Sequence, residues 1–264
     1  MNRVHRPDIP PPPRTIAIAG GRSGVGITSI SVNLAIAMAQ QGQRTVIVDA
    51  DLIRANVAAM CGVTPVSTIA DVLAAKRGIH EVLERGPGGI QLVAGSNSPQ
   101  CRSLCSERAI GRLIDQIRAL GRHTDAVVID IGSSPTDLMC RLWQAADRVL
   151  VTTTADSVAV MDSYALIKSV AVADEERRPL ALVVNQAESE LLALDIFGRM
   201  DCSCRRFLGL GIELCGWLPM VGRQSGGTTI PWVLRQPLPP IAALFERMAG
   251  QLLSGQDDPV YEAA

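Results

Sequence analysis

Runs of aliphatic and β-branched residues recur at TIAIA (15–19), TVIVD (45–49), IQLVA (90–94), AVVID (126–130), RVLVTT (148–153), LALVVN (180–185) and ELCGWLP (213–219). Each is apolar almost throughout, which predicts strands buried on both faces. Between them the period lengthens. Ile110, Leu113, Ile114, Ile117 and Leu120 stand at i, i+3, i+4, i+7 and i+10, one face of a helix. Strands that alternate with helices predict a three-layer α/β fold: a mostly parallel sheet, right-handed crossovers, and a ligand crevice at the carboxyl ends of the strands.

The last helical pattern carries Ile241, Leu244, Phe245, Met248, Leu252 and Leu253 on one face, with Arg247 as its one basic residue. A membrane-surface helix carries Lys or Arg along its polar side. This pattern instead predicts a helix packed on the sheet and no membrane-targeting helix. A second charged stripe, Arg108, Arg112, Arg118 and Arg122, is interrupted by Asp115 and reads as a solvated face.

Composition narrows the picture. The 264 residues are 47% hydrophobic and 19% charged, enough to build one large core. The organisation predicted is a proline-rich lead at 1–14, a single domain at 15–254 and a tail at 255–264. The lead, with Pro10 to Pro13, has no apolar signal core, and no apolar run is long enough to span a bilayer, so a cytoplasmic location is expected. The formal net charge of −1 lacks the basic footprint of a dedicated nucleic-acid binder. Seven cysteines, including the close pairs Cys101/Cys105 and Cys202/Cys204, form no CxxC, and His5, His80 and His123 stand apart. They read as reduced thiols rather than a metal or iron–sulfur site. Cys140, beyond the fourth predicted strand, does not change that reading.

The chemistry begins where the first strand runs into Gly20-Gly21-Arg22-Ser23-Gly24-Val25-Gly26-Ile27-Thr28, followed by a helical stretch that ends near Gly42. Glycines let successive N–H groups converge on an anion at a helix start, and a hydroxyl there can ligate Mg²⁺. Gly21 to Thr28 fits G-x-x-x-x-G-K-[ST] except at Ile27, which stands in place of the lysine. Two other strands end in carboxylates, Asp49-Ala50-Asp51 and Asp130, on the same side of the sheet. Three carboxylates beside a phosphate loop call for a cation, and Mg²⁺ with phosphate supplies it.

These segments resemble the MinD/ParA class of deviant Walker A P-loop ATPases, and within it the FlhG-like flagellar-number regulators. The resemblance spans residues 15–254, through GGRSGVGITSISVNLA, VIVDADLIRANV, DAVVIDIGSSPTD and LVVNQ. It implies the P-loop NTPase fold, ATP and Mg²⁺ as ligands, and a homodimer formed on nucleotide binding. It implies that Gly21, Arg22, Ser23, Gly24, Val25, Gly26, Ile27, Thr28 and Ser29 surround the phosphates, with Asp49 and Asp130 on the Mg²⁺ and γ-phosphate side. Thr28, Asp51 and Asp130 are then the metal set, and Asn185 and Pro219 belong to the base end of the site. Arg22 takes the place of the signature lysine that reaches across the dimer, and Asp51 helps position the attacking water.

The departures fall on the chemistry. Ile27 removes the loop cation, Ser23 replaces a loop glycine, Ser134 replaces a glycine of the second switch, and Leu218-Pro219-Met220-Val221 lacks the usual acidic residue. Losing one charge-assisted hydrogen bond costs about 1.5–3 kcal/mol in binding, and hydrolysis suffers more because charge spreads over the transferred phosphoryl group. Two readings stand at this point. One is an ATP-dependent switch with weak or absent hydrolysis that positions a cellular assembly or cargo through a protein partner. The other is a pseudo-ATPase scaffold that keeps the partner surface without cycling.

Overall fold

The computed structural model describes residues 11–171, 174, 176–221, 230–235 and 240–254. The start of the proline-rich lead and the tail from 255 lie outside the described residues. Among the described residues eight strands form one sheet in the order β3-β4-β2-β5-β1-β6-β7-β8. They are β1 (Arg14–Gly20), β2 (Thr45–Asp49), β3 (Leu83–Arg85), β4 (Gln91–Val93), β5 (Ala126–Gly132), β6 (Arg148–Thr154), β7 (Leu180–Ala187) and β8 (Glu213–Pro219). All pair in parallel except β3, which runs antiparallel to β4 at the edge. The seven runs predicted as strands are all present. The three-residue β3 is the addition: LER carries two charges, too short and too polar for an apolar run to mark it.

Each central strand sends alternate side chains to two cores, as the period of two requires. From β1, Ala17 and Ala19 enter one core, and Ile16 and Ile18 enter the other. The second core is built around α1 (Ile27–Gln40) and α9 (Pro240–Ser254), where Phe245 is fully buried and stacks on Trp232 at 6.0 Å. The predicted last helix thus packs inward through Ile241, Phe245, Met248 and Leu252. The opposite core takes α5 (Glu107–Ala119), α6 (Asp137–Ala145), α7 (Ser157–Val170) and α8 (Glu190–Leu208). Three short helices, α2 (Val57–Met60), α3 (Ile69–Leu73) and α4 (Pro99–Ser103), lie along the connections. In α5, Ile110, Leu113 and Ile117 are buried, as the periodicity predicts, whereas Arg108 and Arg118 are exposed. Arg112 is tied down by donating to the Leu73 carbonyl at 3.0 Å.

Hydroxyl and carboxyl side chains start the helices: Thr136 accepts from the Met139 N–H, Asp156 from those of Val158 and Ala159, and Ser189 from that of Leu192. The first helix is different, because its N-cap is Gly26 in the left-handed region with no side-chain cap. Its leading N–H groups are left facing the sheet edge, at the point where the chain leaves central β1 for β2 and later returns to β6. That is the switch point of the topology, where open α/β sheets bind ligands.

Candidate functional site

The carboxyl ends of β1, β2 and β5 meet at this point. Asp49 and Asp130 are register partners on adjacent parallel strands, so their side chains sit together, and both are about 1% exposed. Asp49 accepts from the Val57 N–H at 3.0 Å and more weakly from the Asp51 N–H at 3.3 Å. Burial, and then the Asp130 charge, push the Asp49 carboxyl up to about 8. Burial also raises Asp130 to about 6, with the Thr28 hydroxyl and the Gly132 N–H pulling the other way. Asp130 Oδ1 accepts from Gly132 at 3.1 Å, but its Oδ2 is buried without a hydrogen-bond partner. A buried carboxylate oxygen without a donor is costly unless a cation meets it.

Asp51, just beyond β2, is only partly buried. Its Oδ1 accepts from the N–H groups of Ile53 and Arg54 at 2.9 and 3.0 Å, which curls the following chain around it. On its other side Gly132 has φ +71°, and a Cβ there would fall 2.6 Å from the Asp51 carboxyl carbon. Only glycine allows that approach.

The loop from Gly20 to Thr28 closes the site. Gly24 and Gly26 have φ +90° and +99°, the curl a phosphate loop needs. Asn185, at the end of β7, is 3% exposed and donates through Nδ2 to the Val25 carbonyl at 2.8 Å. It braces the loop from behind and turns its amide toward the backbone. Gly21 lies on α7 so closely that a Cβ would sit 2.1 Å from the Asp162 carbonyl carbon. Arg22 then lies over the start of that helix, 3.5 Å from Asp156 and 3.8 Å from Asp162. Both pairs are solvent-exposed and worth little, so Arg22 is readily released.

Ile27 points inward. It is 8% exposed, belongs to the α1 core, and places its Cδ1 2.9 Å from where a Gly20 Cβ would be. The position that would present an ammonium to phosphate is used for packing.

A groove of ≈ 780 Å³ runs along this edge, within the size range of small-molecule sites. Ser23, Gly24, Gly26, Ile27, Thr28 and Ser29 line one wall. Asp51, Arg54, Asn56, Ala59, Met60 and Gly62 line the other, and Ser133 closes the end. The structure thus gathers Gly21, Ser23 to Ser29, Asp49, Asp51 and Asp130 at one place. Gly21, Arg22, Val25, Asp49, Asp130, Asn185 and Pro219 do not line the groove itself. Pro219 ends β8, three strands from β1. Sequence reasoning missed Arg54 and Asn56. Their signal was position alone, three and five residues past Asp51 in the segment VIVDADLIRANV.

Among the described residues no three His, Cys, Asp or Glu side chains form a metal cage by themselves. A Mg²⁺ ion completed by water and phosphate oxygens fits, because it needs only one or two carboxylates. The Thr28 hydroxyl and the orphaned Asp130 oxygen meet that need.

A central parallel sheet, a glycine loop opening a helix, and aspartates at adjacent strand ends define the P-loop NTPase fold. The chain matches the family described as "AAA domain" over residues 13–181, and it belongs to that family, among the MinD/ParA-type P-loop ATPases. It is 32% identical over 208 residues to the antiactivator FleN of Pseudomonas aeruginosa, covering 79% of this chain and 74% of that protein. It is 28% identical over 171 residues to the flagellum site-determining protein YlxH of Helicobacter pylori, covering 64% of this chain and 57% of that one. Its fold superposes on the septum site-determining protein MinD of Pyrococcus horikoshii, complexed with Mg-ADP. The TM-score is 0.74 at 21% identity, over 92% of this chain and 97% of that one. No helix among the described residues is long and apolar enough to cross a membrane.

Proposed function

We propose that this chain is an ATP·Mg²⁺-binding spatial regulator: a switch that dimerises on nucleotide and positions a cellular assembly through a protein partner, with weak or absent hydrolysis. The observation that carries the reading is the buried Asp49–Asp130 pair with the unpartnered Asp130 Oδ2, beside a phosphate loop that keeps its glycines and Thr28. Such a pair is a liability without a cation, and its presence at the head of α1 is what a Mg²⁺-phosphate site requires.

In this reading Thr28 and Asp130 hold Mg²⁺, with Asp51 at the same edge, and the N–H groups from Gly21 to Ser29 cradle the phosphates. Mg²⁺, when bound, neutralises charge on the phosphate oxygens. Asp51 orients the attacking water, and its fixed contacts with Gly132 and the following backbone set that orientation. Asn185 holds the loop in shape, and Asn185 and Pro219 stand toward the base. Arg22 leaves Asp156 and Asp162 to reach a second copy. The exposed apolar Val158 and Met161, on the same helix as those carboxylates, suit a face that a second copy covers. The placing role rests on similarity to FleN and YlxH, and the nucleotide on the same fold in a MinD complexed with Mg-ADP.

The burial of Ile27 favours one competitor, a pseudo-ATPase scaffold that holds its partner surface without cycling. The two part in solution. Light scattering is expected to show the 28.1 kDa chain doubling in mass with millimolar ATP·Mg²⁺ and staying monomeric with ADP·Mg²⁺. A mass unmoved by ATP rules out the switch and leaves the scaffold.

A further inference from the structure

The groove has lost the cation its chemistry needs, since Ile27 is packed into the core and Arg22 is paired with two carboxylates outside the groove. Among the described residues one cationic side chain lines it. Arg54 stands on the wall facing the phosphate loop, in a stretch with Asn56, Ala59, Met60 and Gly62. Its backbone N–H is held by Asp51 Oδ1 at 3.0 Å, so the residue is tethered to the carboxylate cluster. Its side chain is exposed, and among the described residues its guanidinium has no ion-pair or hydrogen-bond partner.

We infer that Arg54 is the phosphate-binding cation of this groove: it takes the polyphosphate of a nucleoside triphosphate from the wall opposite the loop, in place of the lysine missing at position 27. This rests on the nucleotide reading above and adds to it the residue that makes binding feasible. The electrostatics require such a group. Asp51 and Asp130 stand at the sheet edge, and a triphosphate brings further negative charge that Mg²⁺ alone leaves incompletely neutralised. A guanidinium suits the task, because its planar fork donates to two phosphate oxygens at once and stays charged at any working pH. Supply from the flanking segment has a structural consequence. The lysine of an ordinary loop is fixed at a helix start, whereas Arg54 follows Asp51 in the chain, so phosphate contact acts directly on the segment from 51 to 56. Nucleotide occupancy is then reported by a surface segment without any loop lysine.

The test is calorimetric titration of the full chain with ATP·Mg²⁺, beside Arg54→Ala, Arg54→Lys and Arg118→Ala. The last removes the same charge from the exposed face of α5, outside the groove. Arg54→Ala is expected to weaken binding roughly tenfold to a hundredfold, the range for one charged hydrogen-bond donor. Arg54→Lys is expected to recover part of the loss, and Arg118→Ala to match the unaltered protein. Unaltered protein and Arg54→Ala binding equally well would overturn the inference and leave the nucleotide reading intact. Equal weakening by Arg54→Ala and Arg118→Ala would overturn it too, by tracing the effect to overall charge. No binding by the unaltered protein would remove both.

Discussion

Replacing Ile27 with lysine is expected to raise affinity for ATP·Mg²⁺ about tenfold or more and to bring turnover up by about a thousandfold. The first figure follows from one added charge-assisted hydrogen bond, the second from a preorganised cation where phosphoryl charge develops. The same change should lower the stability of the nucleotide-free protein. Ile27 is 8% exposed and packs with Val25 and the backbone at Gly20, and losing that burial costs about 2 kcal/mol. For a domain of this size such a loss lowers Tm by roughly 4–8 °C. Thermal unfolding and phosphate release, measured on the same preparation, check both halves. Adding Asp51→Ala should abolish the gained turnover and spare most of the gained affinity. A lysine variant that is destabilised without any gain in affinity would mean that the loop no longer presents its N–H groups to phosphate.

Nucleotide-free protein is expected to lose stability as the pH rises from 5 to 8.5, because of Asp49 and Asp130. The sign follows from linkage. Both carboxyls are raised in the folded state, Asp49 to about 8 and Asp130 to about 6, by burial and by the neighbouring carboxylates. The folded state therefore holds protons that the unfolded chain releases near pH 4. Their stabilising contribution is full below that value and is lost as the pH climbs through about 6 and then about 8. The fall in Tm across this window should be roughly 5 °C or more. The titratable groups that face Asp49 are Asp130, Asp51 and the Cys61 thiol, with the N–H groups of Val57 and Asp51 as its donors. Asp49→Asn keeps the shape and removes the titration. It should flatten the slope, even though the amide cannot accept from both donors and the variant starts less stable. An unaltered slope in Asp49→Asn would place the pH dependence elsewhere.

Most of the scaffold was legible along the chain because a parallel sheet covered on both faces leaves its strands as apolar runs. The exception, Leu83–Arg85, is an edge strand whose pairing with β4 is set by the turn through Gly86 to Gly89 rather than by burial. The site divides in the same way. Gly24, Gly26, Thr28 and the strand-end aspartates follow from local motifs, since a glycine curl and a helix start are properties of adjacent residues. What Asn185 does is not local, because its bond to Val25 joins residues 160 apart in the chain. The inward turn of Ile27 depends on the space above Gly20. The pairing of Arg22 depends on the close approach of Gly21 to α7, and Arg54 became visible only once two distant stretches were seen to face each other across one groove.

Nucleotide occupancy of the unaltered chain underlies all of this, and thermal unfolding against rising ATP·Mg²⁺ measures it most directly. The predicted result is a progressive rise in stability, reaching about 2.7 kcal/mol when the ligand stands at about a hundred times its dissociation constant. A melting temperature that stays flat through millimolar ATP·Mg²⁺ would contradict the account.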